Sequence, residues 1–163
     1  MIVRTRNMRL IWMTAAAMVL AGTVQACPDW RNEPTYGTFD LSRAMVEQGQ
    51  SLELVAGGSS NIANCSMSRT TDMAGFLERA PDVRFQLSDV EGLRLRIWVA
   101  AAQNCDTVLL LNGGTIDWYY DDDDAGDMQA SIVLTRPVSG QLDVWVGTYD
   151  GGYCDARLMI AGS

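Results

Sequence analysis

The sequence predicts an all-β fold, an antiparallel β-sandwich. Three observations predict it. Between Ser51 and Ile160, apolar residues recur at every second position in segment after segment. Clusters of Gly, Asn, Asp and Pro separate those segments. No stretch carries the i, i+3, i+4 apolar spacing of a long amphipathic helix. Each such strand has one apolar face, so two sheets can bury those faces against each other.

The elements follow in order. Residues 27–50 are polar and irregular, with Pro28, Pro34 and Gly37, and Asp40 to Gln48 reads at most as a short helical turn. Leu52, Leu54 and Ala56 share one face of a first strand, which Gly57-Gly58-Ser59-Ser60-Asn61 ends as a turn cluster. Thr71 to Arg79 has room for a turn or two of helix. Val83, Phe85 and Leu87 alternate with Arg84, Gln86 and Ser88, and after Glu91-Gly92 the residues Leu93, Leu95, Ile97 and Val99 alternate with Arg94, Arg96, Trp98 and Ala100. Thr107 to Leu111 is a continuous apolar run, short enough for a strand covered on both faces, and Asn112-Gly113-Gly114 ends it in a tight turn. Ile132 and Leu134 belong to a further strand, closed by the turn Pro137 to Gly140. Leu142, Val144 and Val146 then alternate with Gln141, Asp143 and Trp145, and Ala156, Leu158 and Ile160 with Asp155, Arg157 and Met159.

The N-terminus reads as an export signal. Arg4, Arg6 and Arg9 precede an uncharged stretch, Leu10 to Val24, that is too short for a membrane span of about 20 residues. Val24-Gln25-Ala26 offers small residues for cleavage, which divides the chain into a signal at 1–26 and one domain at 27–163. The product is expected in the periplasm or outside the cell, with no membrane association after cleavage. Cys27 directly after the cleavage point also has the outline of a lipidation site. Cysteine pairing opposes that reading, because Cys27, Cys65, Cys105 and Cys154 make two disulfides in an oxidising compartment, and lipidation would strand one thiol. Four cysteines allow three connectivities. Order and strand placement favour Cys27–Cys65 and Cys105–Cys154.

Charge narrows the function classes. The nine arginines left after those of the signal, set against all 20 acidic residues, give a net charge of −11, with no lysine and no histidine. Such a surface repels nucleic acid and anionic lipid and favours cations or basic partners. Without histidine, Ser-His-Asp and Cys-His catalysis and histidine-bound zinc are excluded. Paired carboxylates could still serve a hydrolase, but acidic residues are too plentiful here for any pair to stand out. Asp106-Thr107 lacks the glycine of an aspartic-protease motif, since Val108 follows.

The best candidate site is the run Asp121 to Asp124 with Asp127, five carboxylates within seven residues. Calcium takes six to eight oxygen ligands, and Asp121, Asp123 and Asp127 have loop spacing for it, with Asp106 and Asp150 joining from neighbouring loops. The competing reading is a solvated turn whose Asp side chains bond nearby backbone N–H groups. Trp98 and Trp145 stand in the polar phase of their strands. Exposed, they could stack on a glycan or anchor a protein partner; covered by the N-terminal segment, they are core. Trp118, beside Tyr119 and Tyr120, is either core or an aromatic wall next to the acidic loop.

Ala80-Pro81-Asp82-Val83-Arg84-Phe85, Asn104 to Asn112, Trp118 to Asp124, Ser139 to Tyr149 and Tyr153 to Ile160 together resemble the β-sandwich domain of the bacterial pre-peptidase C-terminal type, and small exported proteins built from that domain. Leu142 departs from the family's usual aromatic residue. The resemblance implies a jelly-roll-like sandwich with an acidic turn and no catalytic residues of its own, an accessory to secreted enzymes, some relatives binding calcium or a polymer. The function expected is therefore a non-catalytic exported binding or accessory module. The alternatives are a calcium-dependent carbohydrate-binding module and, more distantly, a carboxylate hydrolase.

Overall fold

The computed structural model describes residues 27–67, 73–102, 104–114 and 117–163; the expected signal at 1–26 lies outside them. Two sheets pack face to face. The larger runs β1 (Thr38–Ser42), β5 (Val83–Ser88), β10 (Gly140–Thr148), β4 (Phe76–Leu77), β3 (Ser60–Asn61), with β7 (Thr107–Asn112) pairing both β10 and β8 (Trp118–Asp121). The smaller runs β2 (Gln50–Ala56), β11 (Cys154–Gly162), β6 (Leu95–Ala101), β9 (Ser131–Leu134). A short α-helix, α1 (Arg43–Gln48), links β1 to β2 and buries Val46, and a 3-10 turn, Ile62–Asn64, follows β3.

Alternation builds the space between the sheets. Val83, Phe85 and Leu87 of β5 meet Leu95, Ile97 and Val99 of β6 and Leu158 and Ile160 of β11 in one buried cluster. Buried Val108, Leu109, Leu110 and Leu111 confirm β7 as a doubly covered strand.

Four expectations change. The sheets are antiparallel except β1 and β5, which run parallel, Thr38 opposite Arg84 through Ser42 opposite Ser88. The chain crosses to the other sheet through α1 and β2 before returning, the long connection a parallel pair needs. Phe76–Leu77 is not helical but a two-residue strand bonded to β3 and β10. Glycine lets that strand lie so close: a Cβ at Gly58 or Gly147 would collide with the backbone of Leu77 or Phe76. Asp40 and Leu41 are strand, and the helix starts only at Arg43.

The last change concerns β10. Every residue from Leu142 to Thr148 is buried, including the polar-phase Asp143 and Trp145, each 0% exposed. A second apolar cluster lies on the outer face of the larger sheet: Ile62, Leu77, Val108, Leu110 and Trp145, with Trp30, Met67, Trp118 and Tyr120 packed against it. The N-terminal strap forms part of that roof. Cys27–Cys65 pins it, Asp29 N–H donates to the Arg79 carbonyl at 2.8 Å, and the Arg84 guanidinium donates to the carbonyls of Trp30 and Asn32. Arg84 Nε also donates to Asp143 Oδ1 at 2.7 Å, so the buried carboxylate is paired. Both disulfides have the expected partners, Cys27–Cys65 and Cys105–Cys154.

Candidate functional site

Three loops meet at one end of the sandwich: residues 104–106 ahead of β7, 122–130 between β8 and β9, and 149–153 between β10 and β11. Strand register brings them together, because Thr107 opens β7 opposite Thr148, where β10 closes. Hydrogen bonds then stitch them. Tyr149 N–H donates to the Asp106 carbonyl, and Thr107 N–H to the Met128 carbonyl, both at 2.9 Å. Cys105–Cys154 ties the first loop to the start of β11. Gln129, almost wholly buried, donates from Nε2 to the Cys105 carbonyl at 2.8 Å and accepts the Ala101 N–H at Oε1 at 2.9 Å. Its amide thus holds the acidic loop against β6.

The carboxylates crowd at this end. Asp121, Asp123 and Asp124 each offer an oxygen within 4.8 Å of the others. Burial raises the Asp106 carboxyl above its ordinary range, and repulsion from Asp122, Asp150 and Asp123 adds to it. Burial likewise raises Asp121, against backbone hydrogen bonds that favour its charged form. Those bonds show Asp121 acting as a turn builder, its Oδ2 accepting the N–H groups of Asp124 at 3.0 Å and Ser131 at 2.8 Å. Asp150 Oδ1 does the same for Gly152 N–H at 3.0 Å. Burial lifts the Tyr120 phenol to about 12; its hydroxyl donates to the Ala74 carbonyl at 3.0 Å and lies 3.3 Å from Asp122 Oδ2. Exposed Met128 and Tyr149 stand beside Asp106 through their backbone bonds to that loop, whereas Tyr153, 62% exposed, lies over Gly57 with its hydroxyl on Glu78.

The expected site residues therefore divide. Asp121 and Asp123 are brought together, and Asp106 and Asp150 lie near them. Asp124, left out of the expected ligand set, completes the close trio. Its signal was the aspartate run itself. Asp127 instead lines a groove with Trp98 on the outer face of the smaller sheet. Gly126, Asp127 and Met128 all have positive φ (82°, 52° and 62°), and this left-handed stretch forms a tight turn, bonded back to Asp123 and Ala125, that sets Asp127 on the groove wall. Trp98 is half-buried on that open face, with the Arg96 guanidinium 4.9 Å from its ring centre. Trp145 is fully buried, which corrects its reading as a ligand-stacking residue: the roof over β10 takes up its indole. Trp118 packs on it, ring centres 5.5 Å apart, on the core side of the acidic loop.

No family model and no curated protein matches the sequence. Among solved structures, PliG, a periplasmic inhibitor of g-type lysozyme from Aeromonas hydrophila, is similar at a TM-score of 0.44 and 12% identity, over 77% of this chain and 96% of that one.

Proposed function

We propose that this protein is a non-catalytic exported binding module that docks a basic protein partner on its acidic end. One observation carries the reading. Carboxylates from three separate loops converge beside exposed Tyr149 and Met128, on hydrogen-bonded and disulfide-tied backbone. Aromatic and methionine side chains are the residues that anchor protein interfaces, and a field of one sign steers a partner of the other. Two disulfides fit an oxidising compartment outside the cytoplasm. The motif likeness to the pre-peptidase C-terminal domain supports the same accessory role. The most perturbed carboxyl, Asp82, is a poor candidate for a catalytic acid: it is 5% exposed and its Oδ2 accepts the Val146 N–H at 2.7 Å.

The test uses a nona-arginine peptide and measures its affinity at low and high salt. Binding should weaken with salt, and replacing Asp122, Asp123 and Asp150 by Asn should weaken it about tenfold or more. Tyr149→Ser should weaken it further without changing the salt slope. A triple variant that binds like the wild type would sink the reading. A second reading, calcium on Asp121, Asp123 and Asp124, is favoured by the closeness of those oxygens. A metal held only by the folded chain raises the melting temperature, by about 2.7 kcal/mol of stability at a hundred times Kd. No rise at millimolar calcium removes that reading and leaves the first intact.

A further inference from the structure

The groove on the smaller sheet has a chemistry unlike that of the acidic end. It encloses ≈ 320 Å³, and its walls include Arg96, Trp98, Ala100, Ala125, Gly126 and Asp127. In a strand, residues 96, 98 and 100 project from one face in a row. Arg96 takes one side of the Trp98 indole, its Nε held on Ser131 Oγ at 3.0 Å. Ala100, on the other side, presents only a methyl group to solvent. The indole therefore keeps open space over Ala100, facing the small residues Ala125 and Gly126. Arg96 forms no ion pair among the described residues, so its terminal nitrogens remain available as donors. Across the groove, the left-handed backbone at Asp127 sets a carboxylate acceptor on the same wall as Gly126.

We propose that this groove is a saccharide-binding site in which a pyranose ring stacks on Trp98 over Ala100. An aromatic platform receives the C–H face of a sugar over Ala100, Asp127 accepts from its hydroxyls, and the Arg96 guanidinium backs the indole from its other side. The mixed charge decides the class. A basic peptide meets Arg96 here and is better served by the acidic end. A carboxylated ligand meets Asp127. A neutral polyhydroxylated ring meets no like charge and offers its hydroxyls to Asp127. The volume sits at the small end of the roughly 300–1,000 Å³ usual for ligand sites, which suits one or two sugar units of a longer glycan lying across the open face. This site stands apart from the basic-partner reading and does not rest on it.

The experiment titrates the full exported chain with cellohexaose, chitohexaose and maltohexaose, following tryptophan fluorescence and calorimetry. At least one hexasaccharide should bind. Trp98→Ala should cost about tenfold or more, the usual loss on truncating an aromatic anchor, and Trp98→Phe should recover part of it. Ala100→Leu fills the groove from an exposed strand position and should abolish binding while the melting temperature holds. The Asp122, Asp123 and Asp150 variant should bind sugar as the wild type does. No binding to any of the three, or equal affinity in Trp98→Ala or Ala100→Leu, overturns the proposal.

Discussion

The outer face of the larger sheet is roofed, and that of the smaller sheet is open. On the first, Trp145 loses all its exposure under Trp30, Met67 and Ile62. On the second, Trp98 lies among Arg96, Ala100 and Met159, half-buried, with no strap above it among the described residues. Both residues stand in the middle of long strands and both point away from the central core. The difference comes from where the covering chain is tied. Cys27–Cys65, Arg84 and the Arg79 carbonyl hold the first residues of the N-terminal segment to the larger sheet, and the segment meets the smaller sheet at its edge strand β2, where the Tyr36 hydroxyl accepts the Val55 N–H at 2.9 Å. Which outward side chain becomes core and which becomes surface is thus decided by long-range anchoring.

The largest expected effect tests that division directly. Trp145→Ala should cost about 3–5 kcal/mol, as large-to-small changes of buried aromatics do. Trp98→Ala, on the open face, should cost no more than about 1 kcal/mol. Urea unfolding of the two variants measures both. Equal costs would mean that the two faces are energetically alike.

Next comes Asp82, whose backbone carbonyl holds the strap at Tyr36 N–H and whose carboxylate holds β10 at Val146 N–H. Burial pushes its carboxyl up to about 7, with nearby Glu78 adding to the shift. The folded state therefore favours the protonated form. Its contribution to stability is complete below the unfolded value near 4 and is lost as pH rises through about 7. At about 1.4 kcal/mol per unit the swing reaches up to ~4 kcal/mol. Asp82→Asn keeps an acceptor for Val146 without the charge. The variant should be more stable than the wild type at pH 8 and should lose most of the fall between pH 4 and 7. A variant that follows the wild-type pH curve would show that Asp82 does not carry it.

Much of the fold was legible in the chain. The alternation at β5, β6 and β11 names the central core, and the unbroken apolar run of β7 announces two covered faces. At β10 the same rule misleads, since Asp143 and Trp145 sit in its polar phase. Val144-Trp145-Val146 is nevertheless an uninterrupted apolar triplet beside β7, and two neighbouring strands in one sheet share a roof. The carboxylate cluster was legible as a run of aspartates, and the nearness of Asp106 and Asp150 follows from loops at one end of paired strands. The departure of Asp127 was not legible. It depends on three consecutive left-handed residues, of which only Gly126 advertises that conformation.

The strap's tie gives the last and smallest test of the comparison. Replacing Cys27 and Cys65 together by Ser removes a link across 38 residues of chain, which should cost about 2–4 kcal/mol through the freer unfolded state. The folded state should change too, and on one face only. With Arg84 still bonded to Trp30 and Asn32, the roof should stay in place but open more often, letting acrylamide reach Trp145. Trp98 is already accessible and should quench as before. Keeping one tryptophan at a time, with the others replaced by Phe, separates the two signals. If the Trp145 signal stays as protected without the disulfide as with it, the strap is held by Arg84 and the backbone bonds alone, and Cys27–Cys65 serves the unfolded chain rather than the roof.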